Sequence, residues 1–586
     1  MYQGSSLADW SSFWLLIGLM VGVVVSTAIV GLRQRRDRRR FERIVMAPAD
    51  GLERITGLPG WAVGTFLLSA WALLTAGQGF YSDVAWHIAL GRDDDLFTAP
   101  HTAILVGLIG ILGSGVVAVL MATIDGVETR HRIGALRIPA AAIPLLALGG
   151  TAVAGFPLDE IWHAQYGIDV TMWSPTHMMM ILGASFTGLA VWFVLAAAGV
   201  KPRDSRWAAA LHTIGAVMTI LGLSAPQGEY VFGVPQFQAI FLPIIVSLAA
   251  GIGIVAGRLI LGPWWMGAVV LGLAIVDPGG GVGDDSPVDT RRGGMYLVSA
   301  LWVEAVARVL GLENRRRFAV VSGLGIGTVG LAGEWWWAQG AAQPWEAAML
   351  PDAVILSTVA AVAAALAGAA YAASVRGERA TIGGVSGPVL AVAGVAVLVV
   401  LALPMLRTVG DAAAVVKLTG AGVDESGLAL ARITVEIDPA EVADARWFQV
   451  LTWQGGGLTI SDLEPTADDG IYTSTNAHQV SGLAKTVIRL HRGSDMMAIP
   501  VWMPDDPEIG EPEVAVVEGE PVDFGAEGDF LLREAEAGDP WYSRAIMATL
   551  FACAVGWVVA FVAGARALSA TPSRWARRAV AVVSPR

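Results

Sequence analysis

One cysteine, Cys553, stands in 586 residues, so no intramolecular disulfide can form and a thiolate metal cluster is excluded. Charge is sparse as well: Asp, Glu, Lys and Arg make up only 15% of the chain. The first basic cluster follows the first apolar run instead of preceding it, the reverse of a cleaved signal peptide. The glycine run Gly279-Gly280-Gly281-Val282-Gly283 has no Lys-Ser/Thr after it, which argues against a phosphate loop. Apolar surface is what the chain has in excess. With 55% hydrophobic residues and a mean hydropathy of +0.60, it reads as a polytopic α-helical membrane protein with some soluble mass attached.

Runs long enough to span a bilayer lie near 12–32, 61–80, 101–123, 139–158, 177–199, 207–225, 236–257, 259–276, 294–311, 319–338, 349–373, 385–405 and 544–565, which predicts about 13 spans. Basic residues gather at alternate turns: 33–40, Arg130 to Arg132, Lys201 and Arg203, Arg315 to Arg317, Arg376 and Arg379, and the tail with Arg574, Arg577 and Arg578. Acids mark the opposite turns, at Asp93 to Asp95, Asp159-Glu160 and Asp284-Asp285, with Arg291-Arg292 the one exception. The positive-inside rule then predicts a multi-pass plasma-membrane protein with its N-terminus outside and its C-terminus cytoplasmic. The basic clusters are expected to set topology and meet anionic lipid headgroups, with no nucleic-acid partner.

Within the helical region (1–405) one pattern occurs twice. Asp83-x2-Trp86-His87-x3-Gly91-x-Asp93-x7-His101 returns as Asp159-x2-Trp162-His163-x3-Gly167-x-Asp169-x7-His177, each named position shifted by 76 residues. These positions use four of the eight histidines. A tandem helical-hairpin repeat, about 60–125 and 136–200, is the economical explanation. On a helix, a spacing of four puts Asp and His on one face, and the second His opens the returning helix. Gly91 and Gly167 suit the bend, and Pro100 and Pro175 suit a helix start. Two imidazoles and a carboxylate form a three-ligand set for copper, zinc or iron with positions left open. Three other roles use the same residues: hairpin anchors with Trp86 and Trp162 at the interface, an ion or proton path, and a transporter continuing through His212, Glu304 or Glu334. Glu229 and Glu334 sit in later hairpins that read as eroded copies; Asp93 and Asp169 are further candidates.

From 406 to 543 the chain turns β-rich. Alternation at 431–437, 448–452 and 486–490 and turns at Gly455 to Gly457 and Asp468 to Gly470 predict an extracytoplasmic all-β sandwich. The acidic stretch from Asp505 to Glu536 reads as extended and solvated. His478 and His491, with Met496, Met497 and Met503, form a soft-ligand copper candidate, set against surface histidines and core methionines. Residues 544–586 supply a last span and the basic tail.

Asp-x3-His-x13-His across two helices resembles the Asp-x3-His-x12-His metal motif of the C subunit of copper membrane monooxygenases, the family of particulate methane and ammonia monooxygenases. The resemblance covers about twenty residues per copy. It implies copper-ligand roles for Asp83, His87, His101, Asp159, His163 and His177. The expected protein is therefore a membrane metalloprotein, copper first and zinc or iron behind. It would oxidise a small apolar substrate or handle copper at the outer surface. A scaffold role, with the β domain binding a protein partner, stands as an alternative.

Overall fold

In a computed structural model of the protein, residues 38–91, 97–167, 171–276, 293–341, 343–378, 408–425 and 427–570 are described. The expected spans at 12–32 and 385–405, most of the first basic cluster, the glycine run, the basic tail, Asp93 and Asp169 lie outside these residues.

The helices run in chain order as α1 (Arg38–Thr56), α2 (Gly60–Leu90), α3 (Ala99–Ile124), α4 (Ala142–Tyr166), α5 (Pro175–Ala198), α6 (Arg206–Val231), α7 (Phe241–Leu261), α8 (Trp265–Val276), α9 (Leu297–Leu310), α10 (Arg315–Ala338), α11 (Ala347–Val375) and α12 (Pro540–Ala570). Among the described residues nine of these, all but α1, α8 and α9, are long and apolar enough to cross a membrane. The runs at 259–276 and 294–311 instead give helices of 12 and 14 residues. At 1.5 Å per residue these reach roughly 20 Å, short of a hydrocarbon core of about 30 Å. Gly262 and Trp264, both with positive φ, end the preceding helix and turn the chain before α8 starts.

Hairpins α2–α3 and α4–α5 pack side by side at very short range. A Cβ on Gly107 would stand 2.4 Å from the Ala76 backbone nitrogen, and one on Gly79 would stand 2.6 Å from that of Ile104. Small residues therefore let α2 and α3 meet backbone to backbone.

The β segment is one curled antiparallel sheet, not the two stacked sheets expected. Its strands are β1 (Ala413–Val423), β2 (Ala429–Glu436), β3 (Trp447–Trp453), β4 (Thr459–Pro465), β5 (Ile471–Ser474), β6 (His478–Gln479), β7 (Lys485–Arg492), β8 (Asp495–Met503), β9 (Val514–Ala515), β10 (Pro521–Asp523) and β11 (Gly525–Ala526). The hydrogen-bonded path is β9-β8-β7-β3-β4-β5-β2-β1-β10, with β11 on β8 and β6 on β2. Period-2 alternation splits β7 between two buried faces. Ile488 and Leu490 join Val416, Ile433 and Val450 in the sheet's own core, while Val487 packs with Leu451 and Trp453 on Ile88 and Phe232 of the helices.

Covering by the helices also explains why the acidic stretch is not uniformly solvated. Glu527 is buried against Arg489 and His491, and Glu534 is buried against Lys485. A carboxylate can leave water where a cation meets it.

Candidate metal centres on one cavity

Each hairpin builds its triad by the same local rules. Asp83 and His87 lie one turn apart in the last two turns of α2, and Asp159 and His163 do the same in α4. Gly91 and Gly167, at φ 90° and 75°, close these helices, a backbone shape that L side chains rarely adopt. Their N–H groups donate to the His87 and His163 carbonyls, and their own carbonyls accept from the Nδ1 of the same histidines at 3.0 and 3.1 Å. On the returning side, Thr98 and Ser174 cap α3 and α5 by accepting the backbone N–H of His101 and His177. Spacing had placed the histidines at these helix starts; the caps that hold them went unread.

The second histidine then meets the first pair. His101 Nε2 lies 3.0 Å and His87 Nε2 3.6 Å from the same oxygen, Asp83 Oδ1. His177 Nε2 lies 3.1 Å and His163 Nε2 3.4 Å from Asp159 Oδ2. His177 Nδ1 donates to the Thr171 carbonyl at 2.7 Å, and the Thr176 hydroxyl donates to the other Asp159 oxygen. All six side chains are only partly buried, and in each triad the three ligand atoms fall within 4.8 Å of one another.

These separations decide how well an ion fits. Ligand atoms about 2.0–2.2 Å from a metal stand roughly 3.0–3.6 Å apart between octahedral and tetrahedral angles. All four distances lie in that window. The 3.6 and 3.4 Å separations of His87 and His163 are longer than the 3.0 and 3.1 Å of His101 and His177. With Nδ1–H committed to a carbonyl in three of the histidines, Nε2 is the atom each ring turns towards the carboxylate, where it donates an N–H when the ring is protonated and offers a lone pair to a metal when it is neutral. Carbonyl-anchored Nδ1–H groups are also what orient imidazoles that ligate through Nε2.

Both triads open on one cavity of about 950 Å³. Its walls are mainly apolar, from Leu73, Ile104, Leu108, Phe156, Met180 and Leu273 among others. Asp83, Asp159, Glu160 and Glu229 line it beside the four histidines, and among the described residues no Lys or Arg does. Glu160, missed as a candidate, is buried at this cavity where the first hairpin places Val84. The one sequence signal for it was an acid inside an apolar run.

The remaining candidates lie elsewhere or are held by structural bonds. Glu229 accepts from Trp173 Nε1 at 2.8 Å and from the Gln236 backbone, and so lines the cavity without joining a triad. Glu334 caps the Met295 and Tyr296 N–H groups at 2.8 and 2.6 Å, and Glu304 binds Arg258 and the Trp264 N–H. His212 donates to the Val200 carbonyl. The soft-ligand site in the β domain does not assemble. His478 is bonded to Thr452 and Ser461, His491 to Glu527, and Met496, Met497 and Met503 are core residues. Among the described residues, the two triads are the groups that bring three ligating side chains together.

No family model, curated protein or solved structure matches the chain.

Proposed function

We propose that the chain is a multi-pass membrane metalloprotein in which Asp83, His87 and His101, and likewise Asp159, His163 and His177, each hold one transition-metal ion at the extracytoplasmic face. The observation that carries this is the convergence of His87 and His101 Nε2 on one Asp83 oxygen and of His163 and His177 Nε2 on one Asp159 oxygen, with Nδ1 of His87 and His163 held by the Gly91 and Gly167 carbonyls so that Nε2 is the atom turned to the site. Copper is the first choice through the resemblance to the membrane monooxygenase motif; a two-His, one-carboxylate set serves zinc and non-haem iron as well. The basic turns after α3 and α5 lie at the helix ends away from the triads, which supports the outward placement.

The chain's own residues do three things at this site. They fix ligand direction through backbone carbonyls, supply carboxylates to balance cationic charge, and wall the space with hydrocarbon that excludes water and admits a small apolar molecule. A bound ion with an open position supplies Lewis acidity and, for copper or iron, redox capacity. Oxidation of an apolar substrate and delivery of copper both use these features. A transmembrane ion path is less favoured, because Glu304 and Glu334 are engaged by helix-end N–H groups.

The test is metal content by mass spectrometry on detergent-purified protein, beside a variant with His87, His101, His163 and His177 changed to alanine. Two equivalents of one metal per chain, lost in the variant while its helical content is kept, is the expected result. No metal in either protein after reconstitution with copper, zinc and iron would sink the reading.

A further inference from the structure

Among the described residues, the outer domain meets the end of each motif helix at the glycine that closes it. At the first, the turn after β3 lies on the end of α2. Gln454 N–H donates to the Ile88 carbonyl at 2.6 Å, Gly456 N–H donates to the Ala89 carbonyl at 2.8 Å, and the Gln454 side chain covers Gly91. At the second, the strap between the sheet and α12 crosses the end of α4. Glu536 N–H donates to the Tyr166 carbonyl at 2.8 Å, and the Tyr166 hydroxyl donates to the Asp539 carbonyl. The strap is so close that a Cβ on Gly167 would stand 2.2 Å from the Glu534 carbonyl oxygen.

These contacts take up the helix-end carbonyls that have no partner of their own. They hold the backbone one to three residues before the Gly91 and Gly167 carbonyls that accept from His87 and His163. The strap is anchored to the sheet by the buried Lys485–Glu534 ion pair. The turn depends on Gly456 at φ 106°, with open space where a side chain would go.

Resting on the metal reading above, we propose that the outer domain is a positioning device for both metal sites: its Gln454–Gly456 turn sets the first triad and its Lys485-anchored strap sets the second. The residues act through the Gly91 and Gly167 carbonyls on the Nδ1 of His87 and His163, and so on the direction of Nε2. Partners of this kind typically change metal affinity by about 10- to 100-fold. Each contact serves one hairpin, so the two sites separate by mutation.

The experiment is cobalt(II) titration of full-length protein in detergent, followed by the visible absorption of the bound ion. In Lys485→Met, one of two cobalt ions is expected to weaken about 10- to 100-fold and the other to keep its wild-type affinity. Adding His87→Ala and His101→Ala should abolish the ion that survived. Gly456→Ala strains the turn without crowding it and should give the mirror image, with the surviving ion depending on His163 and His177. Unchanged affinities in both variants, or equal weakening of both ions by either one, would overturn the positioning role. Wild-type protein that takes up no cobalt would overturn the metal reading itself, a result distinct from two intact sites.

Discussion

Asp83 and Asp159 each present one oxygen to both imidazoles of their own triad, yet among the described residues only Asp159 has its second oxygen tied by a fully buried hydroxyl, that of Thr176. The corresponding place in the first hairpin is Pro100, which has no donor. A carboxylate held at one oxygen offers the other in a fixed direction, so the sites should differ in how firmly the acid is oriented. Thr176→Val keeps the shape and removes the donor. It should weaken the second metal site about 10-fold and leave the first unchanged, as read by metal titration with each site isolated in turn. A fall at both sites would point to a packing effect instead. The six triad residues were legible in the sequence because acids and imidazoles are rare in apolar runs and their spacing recurs. Thr176, the Thr171 carbonyl and the Gly91 and Gly167 carbonyls were not, because a hydroxyl or peptide group carries no compositional mark of what it bonds.

Each site is assembled across two helices, so its geometry depends on how closely they cross. Gly107 of α3 lies against the Ala76 backbone of α2, a contact that no side-chain rotation can relieve. Overpacking of this kind costs about 1–3 kcal/mol or more. Gly107→Leu should separate α2 from α3, carry His101 away from Asp83 and His87, and lower both the thermal midpoint and the first site's metal affinity. A variant with lowered stability but wild-type metal affinity would show that the hairpin tip holds the triad without the crossing. Hairpin existence was readable from run length and the placement of polar ends. The two short helices were not, since apolar composition continues through the Gly262–Trp264 bend and a hydropathy window cannot see a positive φ. Alternation likewise identified strands such as β7 without revealing that both its faces are covered, because partner choice is set by the whole sheet.

At the scale of the molecule, a helical bundle of mostly apolar contacts carries a sheet whose junction side holds buried charge. Desolvation would raise the Glu527 carboxyl, but Arg489 and His491 beside it hold it down to about 2. Arg489 also donates to the Pro235 carbonyl of the helical part, so this cluster is a point of docking. Inside the sheet, His478 is buried between Thr452 and Ser461, and desolvation lowers it from 6.5 to about 4. Both shifts have the same sign for stability: the folded domain binds fewer protons than the unfolded chain. The contribution of His478 is present above pH 6.5 and is lost as pH falls from about 6.5 to about 4; that of Glu527 is lost from about 4.5 to about 2. Acid should therefore loosen the sheet in two steps while α2 to α5 persist. Hydrogen exchange of β3 and β7 amides is expected to quicken between pH 7 and pH 5, after correction for intrinsic rates, with helix-centre amides unchanged. His478→Gln, which keeps hydrogen-bonding capacity without titrating, should flatten the first step and leave the second. If the variant's sheet still loosens between pH 6.5 and pH 4 as the wild type does, the buried imidazole is not the sensor of that step.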